Sequence, residues 1–95
     1  KYPDRVPVIC FKNPNAPIDC PDIDKNKYLV PRDLTLGQFL YAIRKRIRLT
    51  SDKALYFFIN DTMPSVSQTM NLLYEKNKND DLFLYISFSI EAVFG

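Results

Sequence analysis

The stretch that decides the fold is residues 27–47, KYLVPRDLTLGQFLYAIRKRI, which contains a short strand, a proline that ends the strand, and a helix. Residues 27–30 have a strand-like composition, and Pro31 ends the run. Thr35 and Gln38 have the spacing of a capping box, in which two side chains satisfy free backbone N–H groups at a helix start. The pattern therefore predicts a helix over residues 36–47.

One face of this predicted helix is apolar. The residues at helical spacing are Leu36, Phe39, Leu40, Ile43 and Ile47. Basic side chains crowd the C-terminal end, where cations complement the helix dipole. An amphipathic helix of this kind is expected to lie across one face of a sheet.

The segments before this stretch indicate a strand and a long loop. Residues 6–11, VPVICF, are rich in β-branched side chains and predict a first strand. Pro7 cannot donate a ladder hydrogen bond, so it should lie near the strand start or at an edge position. Residues 13–24 contain three prolines, two asparagines and three aspartates, which is typical of a loop.

The second half of the chain predicts two further strands and a short helix. Residues 54–59 are apolar throughout, so this third strand is expected to be buried on both faces. Residues 65–77 contain a shorter helix with Met70, Leu73 and Tyr74 facing inward. A polar turn over residues 77–81 then leads into a last strand at residues 82–88.

The element order β–β–α–β–α–β predicts an α+β fold of β-grasp type. We expect a four-stranded mixed sheet with one main helix and one short helix, and with the first and last strands adjacent at its centre. Ninety-five residues have room for one hydrophobic core, so residues 1–95 are expected to form a single domain.

Composition and charge limit the classes of function. The chain is 46% hydrophobic and 25% charged, which is typical of a folded protein, and no apolar run approaches the roughly 20 residues of a membrane span. Residues 1–49 hold ten Lys/Arg against five Asp, whereas residues 50–95 hold three Lys against six Asp/Glu. A basic half suggests an acidic peptide, an anionic membrane or nucleic acid as partner, and a solvated mixed surface is the alternative.

Several kinds of chemistry are missing. The chain has no histidine, so neither a Ser/His/Asp triad nor a Cys/His pair can form, and two glycines are too few for a phosphate-binding loop. We therefore expect no enzyme, no metal site and no cofactor. Cys10 is expected to be a buried free thiol and Cys20 an exposed one in the loop, in a reducing compartment. A disulfide between them stays open as an alternative.

A set of long motifs resembles one family. KYPDRVPVI at residues 1–9, KYLVP at 27–31, DLTLGQF at 33–39, IRKRI at 43–47 and FLYI at 83–86 resemble the autophagy ubiquitin-like modifiers of the GABARAP type. The resemblance covers the whole chain up to Gly95. The family carries two short helices before the first of these motifs, and they are absent from these 95 residues.

The resemblance implies a role for Gly95 as a carboxyl donor, joined to the amine of phosphatidylethanolamine. A cysteine protease would trim any following residues, an E1-like enzyme would activate the carboxylate with ATP, and an E2-like enzyme would transfer it. The chain would be a substrate of this chemistry, monomeric and cytoplasmic before conjugation. Afterwards it would be attached to autophagosomal membranes, and to vacuolar or lysosomal ones.

The resemblance also implies capture of receptor and adaptor peptides with an aromatic residue, two spacers and an aliphatic residue. Independently of the resemblance, residues 27–30 lie between a loop and Pro31, so we expect them to form an exposed edge strand that such a peptide could extend. The aromatic pocket would be formed by Pro7, Ile9, Lys27, Leu29 and Phe83. The aliphatic pocket would be formed by Tyr28, Val30, Pro31, Leu34, Phe39 and Ile43. Acidic flanks of the peptide would meet Arg5, Lys25, Lys27 and Arg46.

Three alternatives accompany this interpretation. The chain could be a ubiquitin-like interaction domain that is never conjugated, with Gly95 a passive end. Phe39, Ile43 and Phe83 could be ordinary core residues. A basic module for nucleic acid or an anionic membrane ranks well behind, because basic and aromatic residues do not alternate as in such surfaces, and no nucleic acid partner is expected.

Overall fold

Six elements form the part of the chain that the computed structural model describes, which is residues 3–92. In chain order they are β1 (Arg5–Lys12), β2 (Lys27–Pro31), α1 (Leu36–Arg46), β3 (Tyr56–Phe58), α2 (Met70–Asn77) and β4 (Leu84–Ser89). The order agrees with the sequence prediction, and the predicted Gly95 site lies outside the described residues.

The four strands form one mixed sheet in the order β2-β1-β4-β3. β1 and β4 lie parallel at its centre, whereas β2 and β3 pair antiparallel on either side. This confirms the β-grasp prediction. Pro7 is the third residue of β1 and precedes Val8, the first residue of β1 that pairs with β4. Proline therefore lies near the strand start, as expected.

The two faces of the sheet differ. On β1, Val6, Val8 and Cys10 are fully buried beneath the helices, whereas the alternate residues Pro7 and Ile9 are half-buried. We call the first the helix face and the second the outer face. The core on the helix face includes the inward side of both helices.

Both helices begin at threonine caps. The Thr35 side chain accepts the backbone N–H of Gln38 at 3.2 Å, and the Gln38 side chain accepts that of Thr35 at 2.9 Å, so the predicted capping box is confirmed. α1 ends at Arg46 with Ile47 as its C-cap, one residue before the predicted end. In α2, Met70, Leu73 and Tyr74 are buried as predicted.

Two predicted strands are longer than the observed ones. β3 has only three residues, because Ala54 is exposed and Asn60 and Asp61 turn the chain with positive φ angles. β4 begins at Leu84 instead of Leu82, because Leu82 has a φ of 69° and donates its N–H to the Asn79 carbonyl at 2.8 Å. Turns therefore take the place of strand pairing at the end of β3 and at the start of β4.

The prediction that Cys20 is exposed is wrong. Cys20 is 3% exposed and belongs to the core with Ile90, because turn hydrogen bonds fold the loop back against the end of β4. Cys10 is buried, as predicted, and both cysteines are free thiols. Burial raises the pKa of the Cys10 thiol to about 12, and burial also raises that of Cys20.

Candidate peptide-binding edge of the sheet

β2 is an edge strand. One side of it pairs with β1, from Arg5↔Pro31 to Ile9↔Lys27, and no described strand pairs with its other side. An edge of this kind presents unpaired N–H and C=O groups to which an extended peptide can add as a further strand. The edge position predicted for residues 27–30 is therefore confirmed.

The side chains of β2 alternate between two surfaces. Lys27 and Leu29 lie exposed on the outer face, while Val30 is buried and Tyr28 half-buried on the helix face. Because successive strand residues point to opposite faces, the free edge of β2 borders both surfaces at once. A peptide added here would send alternate side chains to each of them.

An open cavity lies on the outer face beside this edge. It has a volume of about 490 Å³ and is lined by Pro7, Lys25, Lys27, Tyr28, Leu29 and Phe83. Four of the five residues predicted for the aromatic pocket are thus brought together, and the fifth, Ile9, lies opposite Lys27 on β1. The cavity combines apolar walls with ammonium groups at its margin, which suits an aromatic side chain next to acidic residues.

The residues predicted for the aliphatic pocket lie mostly within the core. Val30, Phe39 and Ile43 are 4%, 3% and 1% exposed. The Phe39 ring packs edge-on against Tyr28, with ring centroids 5.6 Å apart, and the Phe57 ring lies at the same distance. These residues can form only the floor of a pocket. Tyr28 and Leu34 are half-buried, pack against this core and form the rim of the pocket, whereas Pro31 is half-buried and alternates to the outer face, so the prediction that it belongs to this pocket is not supported.

Tyr28 is the residue whose side chain closes this floor. Its hydroxyl donates to the Lys25 carbonyl at 2.7 Å, and the Lys25 ammonium lies 5.2 Å from its ring centroid. Burial raises the pKa of Tyr28, so the hydroxyl stays protonated and can keep donating at neutral pH. Access to the apolar floor therefore requires the Tyr28 ring or its neighbours on the rim to move.

The four predicted acid-binding residues differ in whether they already form an ion pair within the protein. The Arg46 Nε atom lies 2.9 Å from the Asp24 carboxylate, so this guanidinium already has a partner. Arg5, Lys25 and Lys27 form no ion pair with another residue in the range 3–92. These three cations are available to acidic groups of a partner.

A second cavity adjoins the first and was not predicted from the sequence. It has a volume of about 300 Å³ and is lined by Pro3, Arg5, Pro7, Leu29, Arg32, Tyr74 and Leu82. It shares Pro7 and Leu29 with the first cavity. No motif or spacing indicates this site, because it joins the start of β1, the end of β2, α2 and the turn before β4.

Arg32 is held firmly at this second cavity. Its guanidinium donates to the Pro3 carbonyl and, at 2.6 Å, to the Asn71 side chain. It also lies 3.8 Å from the Glu75 carboxylate and 5.7 Å from the Tyr74 ring centroid. These contacts tie the segment before β1 and the end of β2 to α2.

Two other kinds of site, a metal centre and a membrane-spanning helix, are absent from residues 3–92. No group of three or more Cys, Asp or Glu side chains is placed to hold a metal ion there. Neither α1 nor α2 is long and apolar enough to cross a membrane.

Comparisons with known proteins agree with the fold and with the motifs. The family described as "Autophagy protein Atg8 ubiquitin like" matches residues 1–95. Autophagy-related protein 8 of Mycosarcoma maydis is 53% identical over 95 residues, which cover 100% of this chain and 79% of that protein. The crystal structure of Trypanosoma brucei ATG8 is 46% identical, with a TM-score of 0.88 over 99% of this chain and 79% of that one. The GABARAP-type subgroup is not distinguished by these matches, but the chain belongs to the Atg8 family of autophagy ubiquitin-like proteins.

Proposed function

We propose that this Atg8-family protein has two functions: conjugation through Gly95 to phosphatidylethanolamine, and capture of aromatic-x-x-aliphatic peptides on β2. The observation that supports peptide capture is the free edge of β2, with the outer-face cavity on one side of it and the Tyr28 rim on the other. Conjugation rests on the family relationship and on the presence of glycine at position 95.

The spacing of the peptide motif suits this edge. Residues three apart in a strand point to opposite faces, because side chains alternate. An aromatic residue in the outer-face cavity therefore places the aliphatic residue on the helix face, near Val30 and Leu34. Since the cavity lies toward Lys27 and this second surface toward Pro31, the peptide would run parallel to β2.

The expected affinity is modest. Burying two anchor side chains contributes about 1.5–3 kcal/mol each, and strand hydrogen bonds add to this against the cost of ordering the peptide. Together these contributions lead us to expect a dissociation constant of about 1 μM, or about −8 kcal/mol.

Fluorescence anisotropy with a labelled Trp-x-x-Leu peptide tests peptide capture. Leu29→Ala should weaken binding about tenfold, because Leu29 lines the cavity yet is 49% exposed, so its removal spares the core. Leu72→Ala is the matched control, since Leu72 is 44% exposed and lies on α2 outside this cavity. If both variants bind like the parent, the outer-face cavity is not the peptide site.

In the conjugation that we propose, Gly95 supplies the carboxylate that the E1-like enzyme activates and the E2-like enzyme transfers. Glycine has no Cβ, so its carboxylate can enter a channel too narrow for other residues. The two acyl chains of the lipid would give stable anchoring where a single chain gives only marginal binding. We place the free protein in the cytoplasm and the conjugate on autophagosomal membranes.

Reconstitution with both enzymes, ATP and phosphatidylethanolamine liposomes tests conjugation. The parent chain should form enzyme thioesters and a lipid conjugate, Gly95→Ala should form far less conjugate, and the tail control Ala92→Ser should behave like the parent. Equal lipidation of Gly95→Ala would remove any special role of the glycine. A parent chain that forms no thioester would instead indicate a ubiquitin-like interaction domain that is never conjugated.

A further inference from the structure

The loop between β1 and β2 packs against the end of β4. Asn13 donates its backbone N–H to the Phe88 carbonyl at 2.8 Å, and its side chain donates to the Ser87 hydroxyl at 3.0 Å. Farther along the loop, Cys20 is buried in the same core as Ile90. The loop therefore lies beside the point at which the chain leaves the core after β4.

Burial stops after Ile90. Glu91 and Ala92 are both exposed, and we call the residues that follow Ile90 the tail. The tail has five residues up to Gly95, and a chain of that length spans at most about 17 Å when it is fully extended. An enzyme that holds Gly95 in a narrow channel takes up part of this length. The enzyme surface around the channel must therefore lie close to the loop.

The loop presents an isoleucine at the tip of a tight turn. The Cys20 N–H donates to the Pro17 carbonyl at 2.9 Å, which places Ile18 and Asp19 at the two central positions of the turn. Ile18 is fully exposed, so its side chain contributes nothing to the core. Turn tips normally carry polar residues, glycine or proline, and an isoleucine there needs a reason other than folding.

Ile18 is held close to the base of the tail. It lies two residues before Cys20, so their Cα atoms are at most about 7 Å apart. The Lys12 ammonium donates to the Cys20 carbonyl at 3.3 Å, and the Asp19 carboxylate lies 3.9 Å from the Lys53 ammonium. These contacts join the turn to the end of β1 and to the segment before β3, so Ile18 projects from a supported turn.

The charges of the loop favour a protein partner over a membrane. Three carboxylates follow Ile18 in the loop, those of Asp19, Asp22 and Asp24. An anionic membrane repels carboxylates, and any lipid surface desolvates them at a cost. A protein surface can instead combine an apolar contact to Ile18 with basic groups opposite the carboxylates.

We infer that the turn from Pro17 to Cys20 is a docking surface for the E1-like enzyme that holds Gly95, and that Ile18 is its apolar contact. This inference rests on the proposed conjugation. The contact forms when the enzyme binds the protein and is the same throughout the reaction. Removal of the Ile18 side chain should therefore raise KM about five- to tenfold and leave kcat nearly unchanged.

Thioester formation by the E1-like enzyme with ATP, in the absence of liposomes, tests the inference. Initial rates over a range of concentrations of the 95-residue chain give KM and kcat for the parent, Ile18→Ser and Ile18→Leu. Ile18→Leu keeps an apolar side chain and should stay close to the parent KM. Serine suits a turn and Ile18 lies outside the core, so both variants should unfold in urea like the parent.

Leu72→Ser is the matched control, because Leu72 is also an exposed apolar residue but lies on α2. Its neighbour Asn71 donates its backbone N–H to the Arg32 carbonyl at 2.9 Å, so this part of α2 lies near the start of β1. The turn that carries Ile18 follows the other end of β1. Leu72→Ser should therefore keep the parent KM.

A parent-like KM in Ile18→Ser would overturn the inference, as would an equal rise of KM in Ile18→Ser and Leu72→Ser. Unchanged thioester kinetics with less lipid conjugate in Ile18→Ser would assign the turn to the membrane or to the E2-like enzyme, and would also overturn it. If the parent chain forms no thioester, the proposed conjugation itself fails.

Discussion

The Nε atom of Arg46, in the last turn of α1, lies 2.9 Å from the Oδ1 atom of Asp24, which precedes β2. This ion pair joins the helix end to the start of the edge strand. Its side chains are 40% and 78% exposed, so water screens the pair and its contribution to stability is small. Arg46 can therefore exchange Asp24 for an acidic group of a bound peptide.

Asp24→Asn should strengthen the binding of peptides with an acidic flank near Arg46. The substitution releases the guanidinium from its internal partner and removes a negative charge close to the site, so we expect about two- to fivefold tighter binding at low salt. Anisotropy titrations with an acidic-flank peptide measure the change. Asp19→Asn makes the same charge change at the partner of Lys53 and is the control. Equal effects of both substitutions would mean that only net charge matters.

Leu82→Gly should stabilise the fold. Leu82 has a φ of 69° and is 60% exposed, so it bears the steric cost of the left-handed region and buries little surface. Glycine removes this cost, which is about 1–2 kcal/mol. The greater conformational entropy of glycine in the unfolded chain opposes folding by about 0.5–1 kcal/mol. The free energy of unfolding in urea should therefore rise by about 0.5–1 kcal/mol.

Asn60→Gly is the comparison for that result. Asn60 has a φ of 51°, but asparagine tolerates this region, and its side chain bonds that of Asn77 at 3.4 Å. We expect a gain smaller than that of Leu82→Gly, or none. A loss of stability in Leu82→Gly would show that side-chain contacts of Leu82 at the second cavity outweigh its backbone strain.

Thr35→Ala should destabilise the protein by about 1 kcal/mol. The Thr35 hydroxyl accepts the Gln38 N–H at the start of α1, and alanine would leave that donor without its cap. Urea unfolding followed by circular dichroism measures the change. Thr35→Ser keeps the hydroxyl and should stay within a few tenths of a kcal/mol of the parent. Equal losses in both variants would assign the effect to the threonine methyl group.

Patterns local in the sequence predicted most of the fold. The capping pair Thr35 and Gln38 marked the start of α1, and the strongly apolar run ending at Phe88 indicated a strand buried at the sheet centre. The edge position of β2 followed from the loop before it and from Pro31 after it. Each of these signals acts within a few residues, so one sequence is enough to read it.

Features that depend on distant contacts were not predictable. Cys20 lies in a proline-rich loop, and it is buried in a core that includes Ile90, 70 residues later. The second cavity likewise needs Arg32 and Tyr74 to meet across two elements. The family motifs placed Phe39 in a pocket, but they did not indicate that the rings of Tyr28 and Phe57 would pack against the Phe39 ring.

The buried Cys10 thiol should make stability fall at alkaline pH. Burial raises its pKa from 9.0 to about 12, so above pH 9 the unfolded chain loses a proton that the folded protein keeps. The stabilisation is complete below pH 9 and is lost as the pH rises toward 12. The slope approaches about 1.36 kcal/mol per pH unit for one proton.

Urea unfolding at several pH values between 8 and 11 tests this, with Cys10→Ala as the variant. Cys10→Ala should be less stable at pH 8, because it removes a fully buried side chain, yet its stability should fall less steeply above pH 9. Ionisable groups that do not interact with Cys10 are common to both proteins, so their contributions cancel in the comparison. Parallel pH profiles for the parent and Cys10→Ala would contradict the assignment, because the alkaline loss would then come from a group other than this thiol.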